Sequence, residues 1–405
     1  MGLEIRQARP GEMEEFNHLV RTAFALPEEL TVNMPPEWTL CAFVDNKMVT
    51  SYAVWPLTMQ FTDVSVSVAG VTMVGTLPVN RRRGYLRKIT TAHFNLLHER
   101  GEQSIAALFA TMAAIYQRYG YGVVSTKHSY TVEPRYLQFS YPQSVPGDLQ
   151  YVDEKEHGLL IEMYHRFAAN RTGYLQRNNK FEVAPGTPFT VFTFPQPSGL
   201  MHRVVYREAG EPLGYVIYSV RNIRTEGPPH LSGQRLDIRD LVWLSASAYR
   251  AIWDHLPNMD LVKEIVWERV PPDDPLPHTL LEPKMLNTRA GDGLLARIID
   301  VEKTLPERRY SEEGALTFEI IDELCPWNSR RWKMETSATG THISHTNEEP
   351  QLVMPVSTLA MLVFNQISAT EAARMARLDI HDHSALSLWD KVMRTAHRPF
   401  CADLF

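Results

Sequence analysis

A length of 405 residues is too great for one hydrophobic core and indicates two to four domains. Hydrophobic residues make up 44% and charged residues 22%, as in ordinary soluble globular proteins, and the longest mostly apolar run, Met354 to Phe364, is far shorter than the roughly 20 residues of a membrane span. The formal net charge of −6 argues against non-specific nucleic-acid binding and leaves room for a cationic substrate.

Strands and helices alternate through the first third of the chain. Apolar side chains recur at helical spacing after Pro10, whereas residues 104–110 are a short, fully apolar strand typical of a sheet covered on both faces. The predicted strands are 2–8, 38–44, 48–61, 65–77 and 104–110, and the predicted helices begin after Pro10, at about Gly84 and at 112.

Two proline-marked segments, 132–148 and 270–283, divide the remaining chain. Between them, residues 236–256 predict a strand, a serine helix cap and a helix. The last part predicts strands at 316–322, 331–336 and 341–346, followed by helices at 356–366 and 369–378. We therefore expect three α/β-type domains, at 1–132, 133–287 and 288–405.

The cysteines and the first residues bear on location. Cys41, Cys325 and Cys401 are odd in number and widely spaced, with no metal or disulfide pattern. The chain begins without an apolar stretch of the signal-peptide type. We expect a cytoplasmic protein with reduced thiols.

A chemically informative segment is VGTLPVNRRRGYLRK, residues 74–88. An apolar strand ends at Pro78, and three arginines and Gly84 lead directly into a helix. Backbone N–H groups at a helix start are unpaired and carry the positive end of the helix dipole. Gly84 allows an anion to approach the backbone, and the arginines add charge and forked donors. The segment therefore predicts a diphosphate cradle. The alternative is a solvated arginine patch, which the strand–Pro–Arg–Gly–helix context disfavours.

The spacing excludes two common nucleotide motifs. No Gly-Lys-Ser/Thr follows the glycine, as a Walker loop requires, and the Gly-x-Gly-x-x-Gly dinucleotide pattern is absent. RRRGYLR instead resembles the Arg/Gln-x-x-Gly-x-Gly/Ala motif with which GNAT acetyltransferases hold the coenzyme A pyrophosphate. Arg81 and Gly84 match this motif, whereas Leu86 stands where a small residue is usual.

A second segment, IYQRYGYG at 115–122, resembles the Tyr-x-x-x-Gly-Phe/Tyr end of the same fold. In many such enzymes the tyrosine corresponding to Tyr116 donates a proton to the departing coenzyme A thiolate. We interpret Tyr119 and Tyr121 as packing residues.

The whole chain is similar to the Eis family of N-acetyltransferases. The similarity lies in the two segments above, in LVWLSASAYRAIWDHL, and in the ending RPFCADLF. It implies an α/β (α+β) fold with two GNAT-like domains in tandem, the second without a cofactor site, followed by a sterol-carrier-protein-like domain. One departure concerns Thr111-Met112, where family members tend to carry Ser-Glu.

The resemblance also implies a reaction and its residues. Acetyl-coenzyme A, without a metal, would acetylate a primary amine of a cationic small molecule such as an aminoglycoside or polyamine. Tyr116 would be the proton donor, and the main-chain carboxylate of Phe405 the proton acceptor, with Asp403 adding to the attraction for the amine. The enzyme would be a homohexamer without nucleic-acid or membrane partners. The cofactor-binding residues implied are Gly75, Thr76, Leu77, Arg82, Arg83, Gly84, Tyr85, Leu86, Arg87, Lys88, Thr111 and Met112.

The sequence also bears on other functions. The pairs His342/His345 and His381/His383 have no supporting ligand at metal-site spacing, and a Ser-hydrolase elbow is absent. A protein that only senses acetyl-coenzyme A is the first alternative, because Thr111-Met112 departs from the family pattern. A lipid carrier is the second, and it rests on the third domain alone.

Overall fold

The computed structural model describes residues 2–29, 31–193, 199–223 and 233–405. Over these residues the chain forms nine α-helices and three β-sheets of seven, seven and five strands. The strands are β1 (Leu3–Arg6), β2 (Cys41–Val44), β3 (Lys47–Phe61), β4 (Val64–Thr76), β5 (Ile105–Phe109), β6 (Gly122–Val123), β7 (Thr126–Val132), β8 (Asp148–Tyr151), β9 (Met201–Glu208), β10 (Glu211–Ile223), β11 (Gly233–Trp243), β12 (Val262–Val270), β13 (Arg289–Asp292), β14 (Leu294–Ile298), β15 (Gly314–Ile321), β16 (Arg331–Ser337), β17 (Gly340–His345), β18 (Leu352–Pro355) and β19 (Asp379–Ile380). The helices are α1 (Met13–Phe24), α2 (Tyr85–Arg100), α3 (Ala113–Gln117), α4 (His157–Ala168), α5 (Ala246–His255), α6 (Val301–Glu307), α7 (Val356–Val363), α8 (Ala369–Arg374) and α9 (Ala385–Met393).

The first sheet has the order β1-β2-β3-β4-β5-β14-β6. Helix α1 packs on β3 and β4 through an apolar face, whereas Phe24 at its end is 40% exposed. Helix α2 follows β4 and ends at Gly101, whose φ of 69° gives the left-handed turn that glycine favours. The predicted helix at 112–120 is confirmed only in part, because α3 is a short helix that ends at Gln117.

Strands β4 and β5 pair over a short length and then diverge. Their parallel pairing runs from Val68 with Ile105 to Gly70 with Ala107. Beyond that point β4 continues along β3, and β5 continues along β14. A register shift between β3 and β4, with Met73 at a φ of 51°, marks a bulge that bends β4 away. We call the space between residues 71–76 and 108–109 the first wedge.

The second sheet has the order β13-β7-β12-β11-β10-β9-β8 and repeats this plan. Strands β9, β10 and β11 are antiparallel, α5 follows β11, and β12 then pairs with β11 in parallel. As predicted for 236–256, a strand, a cap and a helix follow each other, and the Ser245 hydroxyl accepts a hydrogen bond from the Ala248 N–H.

Two strands near the predicted domain limits cross between sheets. Strand β7 lies in the second sheet, and β14 lies between β5 and β6 in the first. The third sheet, β17-β16-β15-β18-β19, is packed with helices around buried Trp332 and Trp389, and its apolar residues share one core with the first sheet. Within the described parts of the chain, no helix has the length and apolar character needed to cross a membrane.

Candidate active site

The turn of residues 81–84, here called the Arg/Gly turn, joins the end of β4 to α2. Two of its residues have left-handed backbone: Arg82 has a φ of 63° and Gly84 a φ of 78°. The three arginines are exposed. Arg81 Nε donates to the Thr76 carbonyl at 3.1 Å, and Arg83 donates to the Val79 carbonyl at 3.3 Å, so that both side chains lie along the turn.

The start of α2 is open. Its N-cap residue, Gly84, provides no side-chain cap, and a Cβ built there would meet no atom within 4 Å. The first N–H groups of a helix have no partner within the helix and attract anions through the helix dipole. Tyr85 and Leu86 are half-buried, whereas Arg87 and Lys88 are exposed on this first turn. The residues present therefore fit a phosphate group.

At the end of β4, one backbone N–H group faces the first wedge. The Leu77 N–H donates to the Val49 carbonyl at 3.1 Å, and the Leu77 carbonyl accepts from Asn80 at 2.8 Å. Because backbone groups alternate along a strand, the Thr76 N–H faces away from β3, towards the wedge. Gly75 serves packing, since a Cβ there would lie 2.6 Å from Ala23 Cβ. Of the three predicted residues, Thr76 is the one whose N–H faces the wedge.

Tyr116 lies on α3, which follows β5 on the other side of the first wedge. Its ring is half-buried and meets that of Tyr121 edge-on at 5.9 Å between centroids. Burial, with a smaller contribution from Tyr119, raises the pKa of Tyr116 to about 12. The hydroxyl is therefore protonated at neutral pH and can donate a proton. Thr111 and Met112 are exposed just before α3.

Phe405 reaches the first wedge from the third domain. It is 6% exposed, and its ring lies 5.3 Å from that of Phe109, between centroids. The Thr72 hydroxyl donates to a main-chain oxygen of Phe405 at 3.3 Å. Strands β4 and β5 thus both contact the last residue of the sequence.

Asp403 has a different environment from the one expected. It is buried, its carboxylate accepts from Arg177 Nε at 2.9 Å and from the Tyr164 hydroxyl at 3.1 Å, and Arg177 also pairs with Asp240 at 2.5 Å. Burial acts to lower the pKa of Arg177, but Asp240 and Asp403 outweigh it and hold that pKa above its usual value. Burial raises the pKa of Asp403 above its usual value, although Arg177 and Tyr164 act to lower it. Attraction of the amine by Asp403 stays a prediction.

Three residues at this site carry no signal in the sequence. Thr72 lies in an apolar strand, and Arg177 and Arg269 are single arginines remote from any motif. Arg269 donates to the carbonyls of Cys401 and Ala402 at 2.6 and 2.8 Å, and its guanidinium carbon lies 5.1 Å from the centre of the Phe109 ring. All three residues act through contacts with residues that are distant in the sequence.

The histidine pairs weighed as metal ligands lie in the third domain, outside this site. In the chain as described, no group of three or more His, Cys, Asp or Glu side chains is arranged to hold a metal ion.

Comparison with protein-family models gives three matches. An acetyltransferase (GNAT) domain matches residues 4–124, a second acetyltransferase (GNAT) domain matches 173–298, and a sterol carrier protein domain matches 301–402. The predicted fold class, two GNAT-like domains followed by a sterol-carrier-protein-like domain, is confirmed.

Relatives match over most of the chain. An uncharacterized N-acetyltransferase of Streptomyces avermitilis is 26% identical, covering 100% of this chain and 99% of its own. The N-acetyltransferase Eis of Mycobacterium tuberculosis is 28% identical, covering 81% of this chain and 78% of its own. The crystal structure of Eis1 from Mycobacterium abscessus superimposes with a TM-score of 0.81 at 25% identity, covering 99% of this chain and all of that one (100%).

Proposed function

The chain is an Eis-like N-acetyltransferase of the GNAT superfamily, and from this premise we propose that it transfers the acetyl group of acetyl-coenzyme A to a primary amine of a cationic small molecule. The observation that carries the proposal is the open, uncapped start of α2 behind the Arg/Gly turn, with free space above Gly84. A diphosphate has both the charge and the size for such a position.

The co-substrate is assigned to the first wedge and the Arg/Gly turn. When bound, it supplies an acetyl group activated as a thioester. The Thr76 N–H is placed to pair with an extended amide arm like an added strand, and the arginines neutralise phosphate charge. The proposed binding residues remain Gly75, Thr76, Leu77, Arg82, Arg83, Gly84, Tyr85, Leu86, Arg87, Lys88, Thr111 and Met112.

The reaction needs a base and an acid, and we assign these roles to two different residues. A lysine-like amine has a pKa near 10 and is protonated at neutral pH, so a base must remove a proton before the nitrogen can attack. We assign this base to the main-chain carboxylate of Phe405, beside Thr72 and Phe109. Tyr116, held protonated by burial, is assigned as the acid that returns a proton to the leaving sulfur.

The proposal also covers the acceptor, the cellular location, the oligomeric state and the domain limits. The resemblance to Eis-type sequences favours aminoglycosides or polyamines as acceptors, a cytoplasmic location and a homohexamer. We keep 1–132, 133–287 and 288–405 as the proposed domain limits.

An amine panel tests the function. Purified protein is incubated with acetyl-coenzyme A and aminoglycosides, polyamines, lysine peptides and neutral amines, and the products are identified by mass spectrometry. We expect acetylation of the polycationic members, lost in Gly84→Asp. Acetylation of neutral amines alone would contradict the substrate class, and binding of acetyl-coenzyme A without turnover of any amine would favour the sensor.

A further inference from the structure

The middle domain contains a second wedge, built like the first. Parallel pairing of β11 with β12 ends at Ile238 with Trp267, after which β11 continues along β10 and β12 along β7. A register shift between Ile217 and Tyr218 leaves Arg239 as the extra residue of a bulge in β11, as the bulge near Met73 does in β4. We call the space between residues 239–243 and 268–270 the second wedge.

We define the tail as residues 400–405, and its first residues fill the second wedge. Phe400 and Ala402 line it together with Arg239, Asp240 and Arg269, and the residual cavity is only about 20 Å³, enough for one water molecule. A domain with the GNAT plan thus holds a segment of its own chain in the place that corresponds to the proposed co-substrate position of the first domain.

Hydrogen bonds to the tail come from both sides of the second wedge. Arg269, on β12, donates to the main-chain carbonyls of Cys401, Ala402 and Asp403 at 2.6, 2.8 and 3.3 Å. Arg177 holds the Asp403 side chain and is itself fixed by Asp240 on β11.

The backbone just after α4 also contacts the tail closely. The Phe400 N–H donates to the Thr172 carbonyl at 3.0 Å. A Cβ on Gly173, which has a φ of 99°, would lie 2.6 Å from the Phe400 carbonyl oxygen. This approach is possible only for glycine, so the local backbone is shaped for the tail.

We propose that the middle domain is the receptor for the tail: its second wedge binds residues 400–403 through Arg269 and Arg177, and so holds the Phe405 carboxylate against Thr72 in the first wedge. Arg269 and Arg177 are positioning residues, because they act through the tail. The inference rests on the proposed function in assigning the base to Phe405, but docking of the tail is independent of that assignment.

The experiment compares Arg269→Met with Arg269→Lys in the full-length protein. Methionine keeps much of the apolar stem and removes the donors, whereas lysine restores one cationic donor. Arg269 is partly buried, and its hydrogen bonds go to main-chain carbonyls of the tail. Arg235→Met, near the start of β11, is the control, since Arg235 pairs with Asp237, Glu264 and Glu268 and not with the tail.

Two readouts are taken. Release of Phe405 by carboxypeptidase Y, followed by intact-protein mass spectrometry, reports docking of the tail without reference to activity. Steady-state acetyl transfer, with acetyl-coenzyme A affinity measured by calorimetry, reports catalysis. We expect Arg269→Met to release Phe405 at least about tenfold faster and to lower kcat at least about tenfold with unchanged cofactor affinity. Arg269→Lys should lie between Arg269→Met and the unmodified protein, and Arg235→Met should match the latter.

Docking of the tail and the role of Phe405 as the base can fail independently. Unchanged Phe405 release in Arg269→Met would overturn the receptor inference, whatever the activity. Faster release with unchanged kcat would support the receptor and remove Phe405 as the base. Loss of cofactor affinity in Arg269→Met would show a general structural effect and overturn the positioning role.

Discussion

Gly84 is the residue on which co-substrate binding depends most directly. Its φ of 78° disfavours any side chain, and the space above it holds no protein atom. A substituent there therefore costs backbone strain and also projects towards a bound phosphate. The three arginines contribute differently, since each is exposed and adds charge that salt screens.

We expect Arg83→Ala to weaken acetyl-coenzyme A binding about threefold to tenfold, and Gly84→Asp to weaken it more, because aspartate adds both bulk and a repelling charge. Isothermal titration calorimetry measures both affinities. Gly84→Ala separates the side chain from the charge, and Arg100→Ala, an exposed arginine at the other end of α2, is the control. Unchanged affinity in Arg83→Ala and Gly84→Asp would remove the phosphate-cradle assignment.

The variant Tyr116→Phe tests whether this side chain is the proton donor. The change deletes the hydroxyl and keeps the ring, which packs edge-on against Tyr121. Since general acid catalysis contributes about 10²–10⁴-fold, we expect kcat to fall at least about tenfold with little change in cofactor affinity. Tyr119→Phe, a buried neighbour, is the control. A kcat near that of the unmodified protein would mean that another group protonates the sulfur.

Among the elements, the tail is short and extended yet makes contacts in two domains. Phe400 and Ala402 pack in the middle domain, where Arg177 also binds the Asp403 side chain. Cys401 and Phe405 belong to the core shared by the first and third domains. The tail therefore lies between the middle domain and this core and contacts both.

Blocking the tail should inactivate the enzyme without unfolding it. A C-terminal tag turns the Phe405 carboxylate into an amide, and deleting Phe405 moves the carboxylate by roughly 3.5 Å and removes the ring that meets Phe109. We expect both proteins to bind acetyl-coenzyme A normally and to lose at least about 100-fold in kcat. An N-terminal tag is the control. Full acetylation activity in the C-terminally tagged protein would place the base elsewhere.

The proline-rich segment 270–283 contains a buried carboxylate that should make stability depend on pH. Asp274 is buried, and its carboxylate accepts from the Tyr249 and Tyr130 hydroxyls and from the Leu276 N–H. Burial raises its pKa to about 7, although these hydrogen bonds act in the opposite direction. The folded state therefore holds this proton more tightly than the unfolded chain, whose aspartates titrate near 3.9. The contribution of Asp274 to stability is greatest below about pH 4 and falls as the pH rises to about 7.

Asp274→Asn removes the buried charge. We expect the variant to match the unmodified protein near pH 4 and to melt roughly 2–8 °C higher at pH 8, where the carboxylate is ionised. Thermal unfolding followed by circular dichroism at both pH values measures this, with exposed Asp260→Asn as the control. A lower Tm for Asp274→Asn at pH 8 would show that the hydrogen bonds to the carboxylate outweigh the cost of burying its charge.

For the whole molecule, the two GNAT-like domains differ in what their wedges contain. The first wedge is bordered by the Arg/Gly turn and Phe405, whereas the start of the tail, with Phe400 and Ala402, fills the second. Between 133 and 287 the pattern Arg-x-x-Gly occurs at 207–210, where it joins β9 to β10 instead of leading into a helix, and at 224–227, which lies outside the described residues. Tandem copies of one fold can therefore serve different roles.

We accordingly expect calorimetric titration to give one acetyl-coenzyme A per chain. The Gly84→Asp variant supplies the control, because a site confined to the first domain should be lost with it, whereas a second site would survive. Two equivalents per chain in the unmodified protein would contradict the assignment.

The sequence by itself determined the local features. The periodicity of the apolar residues predicted most strands and helices, and the strand–Pro–Arg–Gly–helix order predicted the turn before α2, since these features depend on neighbours a few residues apart. The resemblance to Eis-type sequences added the fold and the roles of Tyr116 and Phe405, which stay predictions.

Only the tertiary structure decided the long-range contacts. The bulge near Met73 opens the first wedge, the crossing of β7 and β14 joins the sheets, and Asp403 is buried against Arg177. Arg177 and Arg269 could not be assigned from the sequence, because a single arginine has no periodicity. Their partners lie more than a hundred residues away and meet them only when the tail packs between the domains.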